Sequence, residues 1–363
     1  MTHRDFHDWL LQRWYGSRPI WFFIPLAGVF AALTALRRWA YKRGILETAR
    51  LRAPVIVVGN ITVGGTGKTP FVIWLAQALT VQGYQPGIIT RGYGGKSERW
   101  PLLVTPATDP VLAGDEAVLL ARHTHLPVMA GPDRVKAAQR LQTETNVDVI
   151  ISDDGLQHYH LPRAVDIIML DGRRGFGNFW LLPAGPLRES TVRVNEVDFV
   201  ICKTDSPATA SMPPGTLVMR MVLKSVVRLA DGSSMPLTKF SSQRVHAVAG
   251  IGHPQQFFAA LGRHGLLVDG RALPDHAEFS EGDLLFNDNL QVLMTEKDAV
   301  KCRNLKLPHH WYVTADAQFS EDDATRIVRF VRKRLLAAGV EPTGADKKVD
   351  LGHLQKSEIL VSG

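Results

Sequence analysis

Cysteine is scarce in this chain of 363 residues, where only Cys202 and Cys302 occur. The two lie far apart and form neither a CxxC pair nor a cluster with histidines, which excludes a disulfide framework or a zinc module. Internal repeats and low-complexity tracts are also missing. Apolar residues make up 45% and charged residues 21% of the sequence, as in globular proteins rather than disordered ones. At this length we expect two packed domains in a reducing compartment.

Acidic residues are fewer than basic ones, and the formal net charge is +7. Such a charge predicts anionic partners, which include nucleic acid, a membrane surface and phosphorylated substrates. The sequence has no aromatic and basic strand motif of the RNA-binding type, so we do not expect nucleic acid as a partner. No protein partner can be inferred.

Long uncharged runs are rare, and the clearest one covers residues 20–36. Basic residues flank it on both sides: Arg13, Arg18, Arg37, Arg38, Lys42, Arg43, Arg50 and Arg52. A signal peptide would have a shorter apolar core and a small-residue cleavage site, whereas Arg37 follows this run directly. The run is close to the lower limit of about 17 residues for a spanning helix, and Pro25 interrupts it.

Three interpretations of this segment remain open, namely a helix that crosses the bilayer, a helix in the membrane interface, and a buried core helix. We favour a membrane anchor, because Trp9, Trp14, Trp21 and Trp39 suit the interfacial zone. Basic residues on its C-terminal side place the remaining chain in the cytoplasm.

The strongest motif is the glycine-rich loop GGTGKT at residues 64–69. An apolar β-branched run, residues 54–58, precedes it, and a helical pattern, residues 71–80, follows it. Glycines free backbone amides to surround phosphates, a lysine neutralises their charge, and a threonine can ligate magnesium. The strict motif has glycine six residues before the lysine, where this chain has threonine. We predict a nucleotide-phosphate site formed by Thr62, Val63, Gly64, Gly65, Thr66, Gly67, Lys68 and Thr69.

A second apolar strand, residues 149–152, ends in the carboxylates Asp153 and Asp154. A carboxylate at the end of a buried strand beside a phosphate loop holds Mg²⁺ directly or through water. Adjacent side chains on a strand point to opposite faces, so the two aspartates are not expected to do the same work. We expect both to lie near the metal.

Apolar runs and helical patterns alternate along the chain, which predicts an α/β fold with a doubly wound, mainly parallel sheet of the P-loop NTPase type. A less regular, proline-containing region then connects to a second, smaller α/β/α domain. The expected divisions are an N-terminal hydrophobic anchor helix at 1–48, a phosphate-loop core at 49–215, a hinge at 216–244, the smaller domain at 245–338 and a mobile tail at 339–363.

Two nucleotide-binding classes fit poorly. Small GTPases need a DxxG switch and an Asn-Lys-x-Asp guanine reader, but residues 200–205 (VICKTD) have Cys202 where the asparagine belongs. Partition-type ATPases carry a lysine ahead of the double glycine, where this chain has Val63. GTP is therefore disfavoured, and the partition-type interpretation is weakened as well.

Eight motifs, in order and spacing, resemble the tetraacyldisaccharide 4'-kinase (lipid A 4'-kinase) family of Gram-negative bacteria. They lie at residues 59–70 (GNITVGGTGKTP), 90–94 (TRGYG), 114–116 (GDE), 153–158 (DDGLQH), 182–189 (LPAGPLRE), 250–254 (GIGHP), 275–276 (DH) and 295–302 (TEKDAVKC). The resemblance runs from the apolar segment to about residue 337, and residues 343–363 match no motif of the family.

The resemblance implies transfer of the ATP γ-phosphate to the 4'-hydroxyl of a tetraacylated glucosamine disaccharide 1-phosphate, which gives lipid IVA in lipid A biosynthesis. It places the enzyme at the cytoplasmic face of the inner membrane, with a glycolipid substrate and the lipid surface as partners. It also implies two α/β/α domains joined by a two-stranded hinge. Acyl-chain preference and oligomeric state do not follow from the sequence.

Phosphoryl transfer needs a base for the hydroxyl proton. Asp115, at the start of a helical segment, is the candidate, although a helix cap is the alternative role for an aspartate there. The resemblance suggests that His276 orients Asp115, and it implies that Glu189 is a magnesium ligand, where a surface ion pair is the alternative. Lys68 completes the catalytic set, and Thr69, Asp153, Asp154 and Glu189 form the expected metal set.

Four further residues are candidates for substrate contacts. Arg91, Arg134 and Arg188 carry guanidinium forks that match phosphate oxygens. His158, four residues beyond Asp154, is placed to touch the metal or the sugar. The alternative function is a membrane-tethered P-loop ATPase that acts as a nucleotide switch, and it leaves the proline-rich loop at 183–186 and the Asp-His pair without a use.

Overall fold

The computed structural model describes residues 3–16, 18–204, 212–274, 279–302 and 307–343. Its helices are α1 (His3–Trp14), α2 (Ile24–Lys42), α3 (Lys68–Val81), α4 (Pro110–Ala113), α5 (Asp115–Thr124), α6 (Arg134–Glu144), α7 (Pro254–Arg263), α8 (Glu281–Leu284), α9 (Glu296–Ala299) and α10 (Glu321–Ala337). Short 3-10 turns lie at Trp21–Phe23, Thr191–Glu196, Leu237–Phe240 and Val300–Cys302.

The strands belong to one sheet in the order β11-β10-β12-β13-β8-β7-β6-β1-β5-β2-β4-β3, with β9 paired to β8. They are β1 (Val55–Gly59), β2 (Pro86–Thr90), β3 (Leu102–Val104), β4 (Val128–Ala130), β5 (Val149–Asp153), β6 (Val165–Asp171), β7 (Phe199–Lys203), β8 (Leu217–Arg228), β9 (Ser234–Pro236), β10 (Arg244–Ala249), β11 (Leu267–Ala272), β12 (Val292–Thr295) and β13 (His310–Gln318).

Most neighbouring strands in this sheet are parallel, and the predicted α/β fold with a mainly parallel sheet is confirmed. The central strands read as continuous apolar runs because helices cover both faces of the sheet. Antiparallel pairs occur where β3 meets β4 and where β8 meets β13 and β9.

Strand β8 links the two halves of the sheet. It is a single strand of 12 residues in the region that the sequence marks as a hinge. Its start pairs in parallel with β7, Cys202 opposite Val218, and its end pairs antiparallel with β13, Tyr312 opposite Val227. One strand therefore has a parallel neighbour at its start and an antiparallel neighbour at its end. A local sequence pattern does not reveal such a pairing.

Helix α10, the last in the described chain, packs against the first half of the molecule. Phe319 contacts Phe71 and Trp74 of α3, with ring centroids 6.0 and 4.6 Å apart, and the buried face of α10 continues the same core. Beyond it, Thr343 donates its backbone N–H to the Gly83 carbonyl at 2.9 Å. The predicted domain boundaries stay a prediction, and residues 344–363 of the predicted tail lie outside the described residues.

The apolar N-terminal segment forms α2, which lies along the body of the protein. Its buried residue is Ala27, so α2 is not a core helix. The opposite face exposes an apolar stripe in which each side chain is more than half exposed: Leu26, Val29, Leu33 and Leu36. In the described part of the chain, Trp21–Lys42 is the one helix whose length and apolar character would suffice to cross a membrane.

Candidate active site

The glycine-rich loop connects β1 to α3 at the carboxyl edge of the sheet. Gly67 caps the helix with a φ of 81°, a left-handed conformation that suits glycine, and α3 begins at Lys68. The first N–H groups of a helix have no partner within the helix, which makes this helix start a ready site for phosphate. The predicted order of strand, loop and helix is confirmed.

The end of β5 places two carboxylates beside this loop. Strands β1 and β5 are neighbours with Val58 opposite Asp153, so Asp153 lies next to the start of the loop. The Thr69 hydroxyl donates to Asp153 Oδ2 at 3.4 Å, and Lys68 Nζ lies 3.3 Å from Asp154 Oδ1. Arg188 Nη1 lies 3.6 Å from the same Asp154 oxygen. We call these five residues the phosphate cluster.

The two aspartates of the phosphate cluster have opposite electrostatics. Burial raises the pKa of Asp153 to about 7, and the negative charge of Glu116 adds to this effect. Burial also acts to raise the pKa of Asp154, but the charges of Lys68 and Arg188 outweigh it and lower that pKa. The charge of Asp154 is thus offset by groups of the protein, whereas the ionised form of Asp153 would be stabilised by a bound cation.

The cluster fits a magnesium ion held jointly with a nucleotide. Asp153 is 2% exposed, and its Oδ1 has no hydrogen-bond partner among the described residues. That oxygen and the Thr69 hydroxyl are the hard ligands that Mg²⁺ prefers, and the ion usually takes its other ligands from phosphates and water. Within the described ranges no group of three or more His, Cys, Asp or Glu side chains could hold a metal by itself.

Arg134 is almost completely buried beside these carboxylates. It begins α6, is 1% exposed, and donates from Nη1 to the Gly131 carbonyl at 2.7 Å. Its Nε and Nη2 have no hydrogen-bond partner in the part of the chain that the structure describes. Burial lowers its pKa to about 10 against the pull of Asp154 and Asp153. A buried guanidinium with unused donors is suited to bind an anion.

His158 lies in the same electrostatic field. Burial lowers its pKa to about 4, and the positive charges of Arg134, Arg37 and Arg91 act in the same direction. The ring is therefore neutral at neutral pH, where it can exchange hydrogen bonds with a sugar or a phosphate. Arg91 is exposed at the end of β2. The structure thus brings together the four predicted substrate-contact residues.

Glu189 belongs to a different set of contacts. It is 6% exposed, accepts a hydrogen bond from Gln157 Nε2 at 3.0 Å, accepts another from the Tyr159 hydroxyl, and lies 3.6 Å from Arg193 Nε. A surface ion pair is therefore excluded, because this carboxylate is buried. Its role as a magnesium ligand stays a prediction.

Asp115 opens α5 and is 5% exposed. Its Oδ1 accepts the Glu116 N–H at 3.0 Å, and its Oδ2 lies 3.7 Å from Lys301 Nζ. Lys301 also lies 3.4 Å from Oδ1 of the fully buried Asp298, which in turn accepts the Gly250 N–H. Asp115 is thus held from both sides. Its predicted partner His276 lies outside the described residues.

Two further ion pairs join α5 to the same segment, residues 295–302. Glu116 Oε1 lies 3.3 Å from Lys297 Nζ, and His123 Nε2 lies 2.6 Å from Glu296 Oε1. We call the three pairs (Asp115–Lys301, Glu116–Lys297 and His123–Glu296) the α5 ladder. The sequence marked residues 295–302 as a motif but gave them no role, because nothing in the local pattern shows that they face α5.

Arg174, in the loop after β6, is another residue that the sequence reading missed. A side chain at Gly64, where φ is 109°, would place its Cβ 2.6 Å from Arg174 Nη1, so this guanidinium rests on the phosphate loop. It also stacks on the Tyr15 ring, 4.6 Å from the centroid, and lies 3.4 Å from His253 Nδ1. Arg174 therefore connects the phosphate loop with the GIGHP motif at residues 250–254.

Comparison with known proteins agrees with this geometry. Residues 19–335 match the family model described as Tetraacyldisaccharide-1-P 4'-kinase. Two relatives carry the name tetraacyldisaccharide 4'-kinase. The protein of Nitrosococcus oceani is 44% identical over 94% of this chain and 99% of its own length, and that of Alkalilimnicola ehrlichii is 47% identical over 83% and 89%.

A solved structure shares the fold. The apo form of LpxK from Aquifex aeolicus in complex with ATP superposes with a TM-score of 0.74 at 27% identity. The match covers 86% of this chain and 98% of that one.

Proposed function

The chain belongs to the tetraacyldisaccharide-1-P 4'-kinase family, and we propose that it transfers the γ-phosphate of ATP to the 4'-hydroxyl of a tetraacylated glucosamine disaccharide 1-phosphate. The product is lipid IVA, in lipid A biosynthesis. The observation that best supports this proposal is the phosphate cluster, in which Lys68 and Thr69 at the start of α3 reach Asp154 and Asp153 at the end of β5.

The phosphate loop binds the nucleotide. Backbone N–H groups at the start of α3 donate to the phosphate oxygens, and Lys68 adds a positive charge where negative charge accumulates during transfer. With ATP bound, Lys68 exchanges its contact with Asp154 for the phosphates. Arg188 remains beside Asp154 and offsets its charge.

Asp153 and Thr69 would hold Mg²⁺, which supplies charge neutralisation to the phosphates when bound. The unsatisfied Oδ1 of Asp153 supports this role. Arg134 and His158 lie in the field of these carboxylates and would supply donors to a phosphate or sugar oxygen of the substrates.

Asp115 is the proposed base for the 4'-hydroxyl proton. Its burial and its two contacts fix the direction of the carboxylate. A fixed carboxylate favours transfer, because a base contributes only when it reaches the proton in the correct geometry. His276 stays in the proposal as the partner that the family resemblance suggests.

The apolar stripe of α2 supports a place at the bilayer, where the acyl chains of the substrate lie. Both ends of α2 are fastened to the body, through the hydrogen bond from Ile20 N–H to the Ala184 carbonyl and the ion pairs of Arg38 and Lys42 with Glu196. A helix held along the body with one apolar face outward suits the membrane interface. We therefore propose α2 as an interfacial anchor at the cytoplasmic face of the inner membrane.

Incubation of the full chain with γ-labelled ATP, Mg²⁺ and a panel of glycolipid acceptors tests this function. We expect label in the tetraacyldisaccharide 1-phosphate, with a mass gain of one phosphate, and no label in an acceptor whose 4'-hydroxyl is blocked. A nucleotide switch would release ADP and inorganic phosphate without a labelled lipid.

A further inference from the structure

The loop after β6 exposes two aromatic side chains. Phe179 is 61% exposed and Trp180 is 38% exposed. Phe179 has a φ of 64°, a left-handed conformation that is unusual for a bulky residue. Its ring approaches Phe176 at 5.9 Å between centroids but is otherwise presented to solvent. Such a strained, exposed aromatic residue points to a contact outside the folded chain.

This loop is fastened to the segment that leads into α2. The Asn178 N–H donates to the Trp14 carbonyl at 2.9 Å, and the Trp14 indole donates to the Pro183 carbonyl at 2.9 Å. The Ala184 carbonyl accepts from Asn178 Nδ2 at 3.0 Å and from the Ile20 N–H at 3.3 Å.

On each side of this contact, an exposed aromatic residue follows a hydrogen-bonded one in the sequence. Phe179 follows Asn178, and Trp21, which is 77% exposed, follows Ile20. With Trp180 and Phe22, which is 51% exposed, they form four aromatic side chains around the start of α2. We call this set the aromatic collar.

The other end of the same loop reaches the phosphate cluster. The Val63 N–H donates to the Pro186 carbonyl at 2.9 Å, and the Arg188 N–H donates to the Ile61 carbonyl at 2.7 Å. Residues 178–188 therefore form a strap with the aromatic collar at one end and Arg188 at the other. A surface that binds the aromatic collar would therefore also fix its own distance from the active site.

We propose that Phe179 and Trp180 insert into the lipid bilayer as a second membrane contact beside α2, and this rests on the proposed function because a lipid substrate places the site at a bilayer. The collar lies at the N-terminal side of α2, whose apolar stripe is also exposed. Aromatic rings, tryptophan above all, prefer the membrane interface. Arg18 is exposed and lies beside the loop, since its carbonyl accepts from Asn178 Nδ2 at 3.5 Å, and its guanidinium suits anionic headgroups.

Vesicle binding by the full chain tests the proposal. The double variant Phe179→Ser/Trp180→Ser is compared with Leu267→Ser, a matched control on β11 whose side chain is 63% exposed. Phosphatidylcholine vesicles, with and without phosphatidylglycerol, are the probes in a flotation assay. We expect the double variant to bind about tenfold more weakly, because two aromatic side chains no longer leave water. The control should bind like the parent chain. Equal binding by all three proteins would overturn the proposal.

A second measurement covers the case of a poorly folded double variant. Trp180→Phe keeps an aromatic ring, so it should bind vesicles normally and show less quenching of tryptophan fluorescence by brominated lipids than the parent chain. Unchanged quenching would overturn the lipid contact. Lipid-free sedimentation decides the alternative occupant, since a dimer that the double variant loses would assign the collar to a second copy of the chain.

Kinase activity on detergent-dispersed substrate separates this proposal from the proposed function. The double variant should keep the activity of the parent chain in detergent and lose it on vesicle-embedded substrate. A parent chain that phosphorylates no lipid in detergent refutes the proposed function, while the binding and quenching results still decide whether the collar enters the bilayer.

Discussion

The phosphate cluster and the α5 ladder meet at Glu116, whose charge helps to raise the pKa of Asp153, yet they are built differently. All residues of the phosphate cluster come from the first half of the sheet: the start of α3, the neighbouring end of β5, and the loop that carries Arg188. The α5 ladder joins α5 to residues 295–302, which follow β12 in the second half.

This difference assigns separate tasks to the two regions. The phosphate cluster draws its five residues from the first half of the sheet, so we expect it to bind nucleotide without the contacts of the α5 ladder. The α5 ladder joins α5 to residues that follow β12 in the second half of the sheet, so we expect the position of Asp115 to depend on that contact. We therefore expect changes in the first region to abolish binding and catalysis together, and changes in the second to affect transfer alone.

Replacement of Lys68 by alanine should have the largest effect. The ammonium group offsets charge on the transferred phosphate, so kcat should fall about a thousandfold or more. Steady-state kinetics with labelled ATP measure this, and thermal unfolding should be unchanged. Lys136→Ala, on the exposed side of α6, is the control and should behave like the parent chain. Near-normal activity of the Lys68 variant would refute the role of the phosphate loop.

Asp115→Asn removes the base but keeps the size of the side chain. We expect kcat to fall about a hundredfold while the KM for ATP changes little, because the nucleotide contacts lie in the phosphate cluster. If His276 acts through Asp115, a double variant at both positions should be scarcely worse than the more damaging single one. Multiplying losses would show that the two side chains act independently.

Lys301→Met breaks the first pair of the α5 ladder without touching the carboxylate itself. We expect about a tenfold loss of kcat, since Asp115 loses the contact that fixes one oxygen. Lys301→Arg should restore most of the loss. Lys297→Met serves as the matched control, because Lys297 pairs with Glu116 rather than Asp115. Equal losses of kcat in both lysine variants would show that Lys301 only helps to hold α5 against residues 295–302 and has no specific effect on Asp115.

The smallest effect concerns His123 and Glu296. Burial acts to lower the pKa of His123, but the hydrogen bond and charge of Glu296 outweigh it and raise that pKa. A raised pKa in the folded state means that the pair stabilises the fold below the ordinary pKa of histidine. That stabilisation is lost as pH rises through the folded-state value. The free energy of unfolding of the parent chain should exceed that of His123→Gln by about 1 kcal/mol at acidic pH and converge with it at alkaline pH. A gap that widens with pH would contradict the pairing.

The sequence predicted the phosphate cluster well, because its parts follow from local chemistry. A glycine loop between a strand and a helix, and a carboxylate at a strand end, converge whenever the two strands are neighbours in a parallel sheet. Lys68, Thr69, Asp153 and Asp154 were found in this way. Arg188 was expected to contact phosphate from the chemistry of its guanidinium, but its place beside Asp154 did not follow from the sequence, since its loop has no regular pattern.

The rest depends on contacts between distant segments, which a local pattern does not encode. The ion pair of Lys301 with Asp115 joins positions 186 residues apart in the sequence. Arg174 against Gly64 and the packing of Phe319 on α3 are of the same kind. Glu189 shows a further limit, since its buried contacts with Tyr159 and Arg193 do not follow from a position in a proline-rich loop.

The most direct test of this division of tasks is the double variant Asp115→Asn/Lys301→Met, measured for equilibrium ATP binding and for single-turnover phosphorylation of the lipid acceptor. We predict an ATP Kd within about twofold of that of the parent chain, together with a loss of transfer of about a hundredfold or more. Loss of ATP affinity in parallel with loss of transfer would contradict the separation of the phosphate cluster from the α5 ladder.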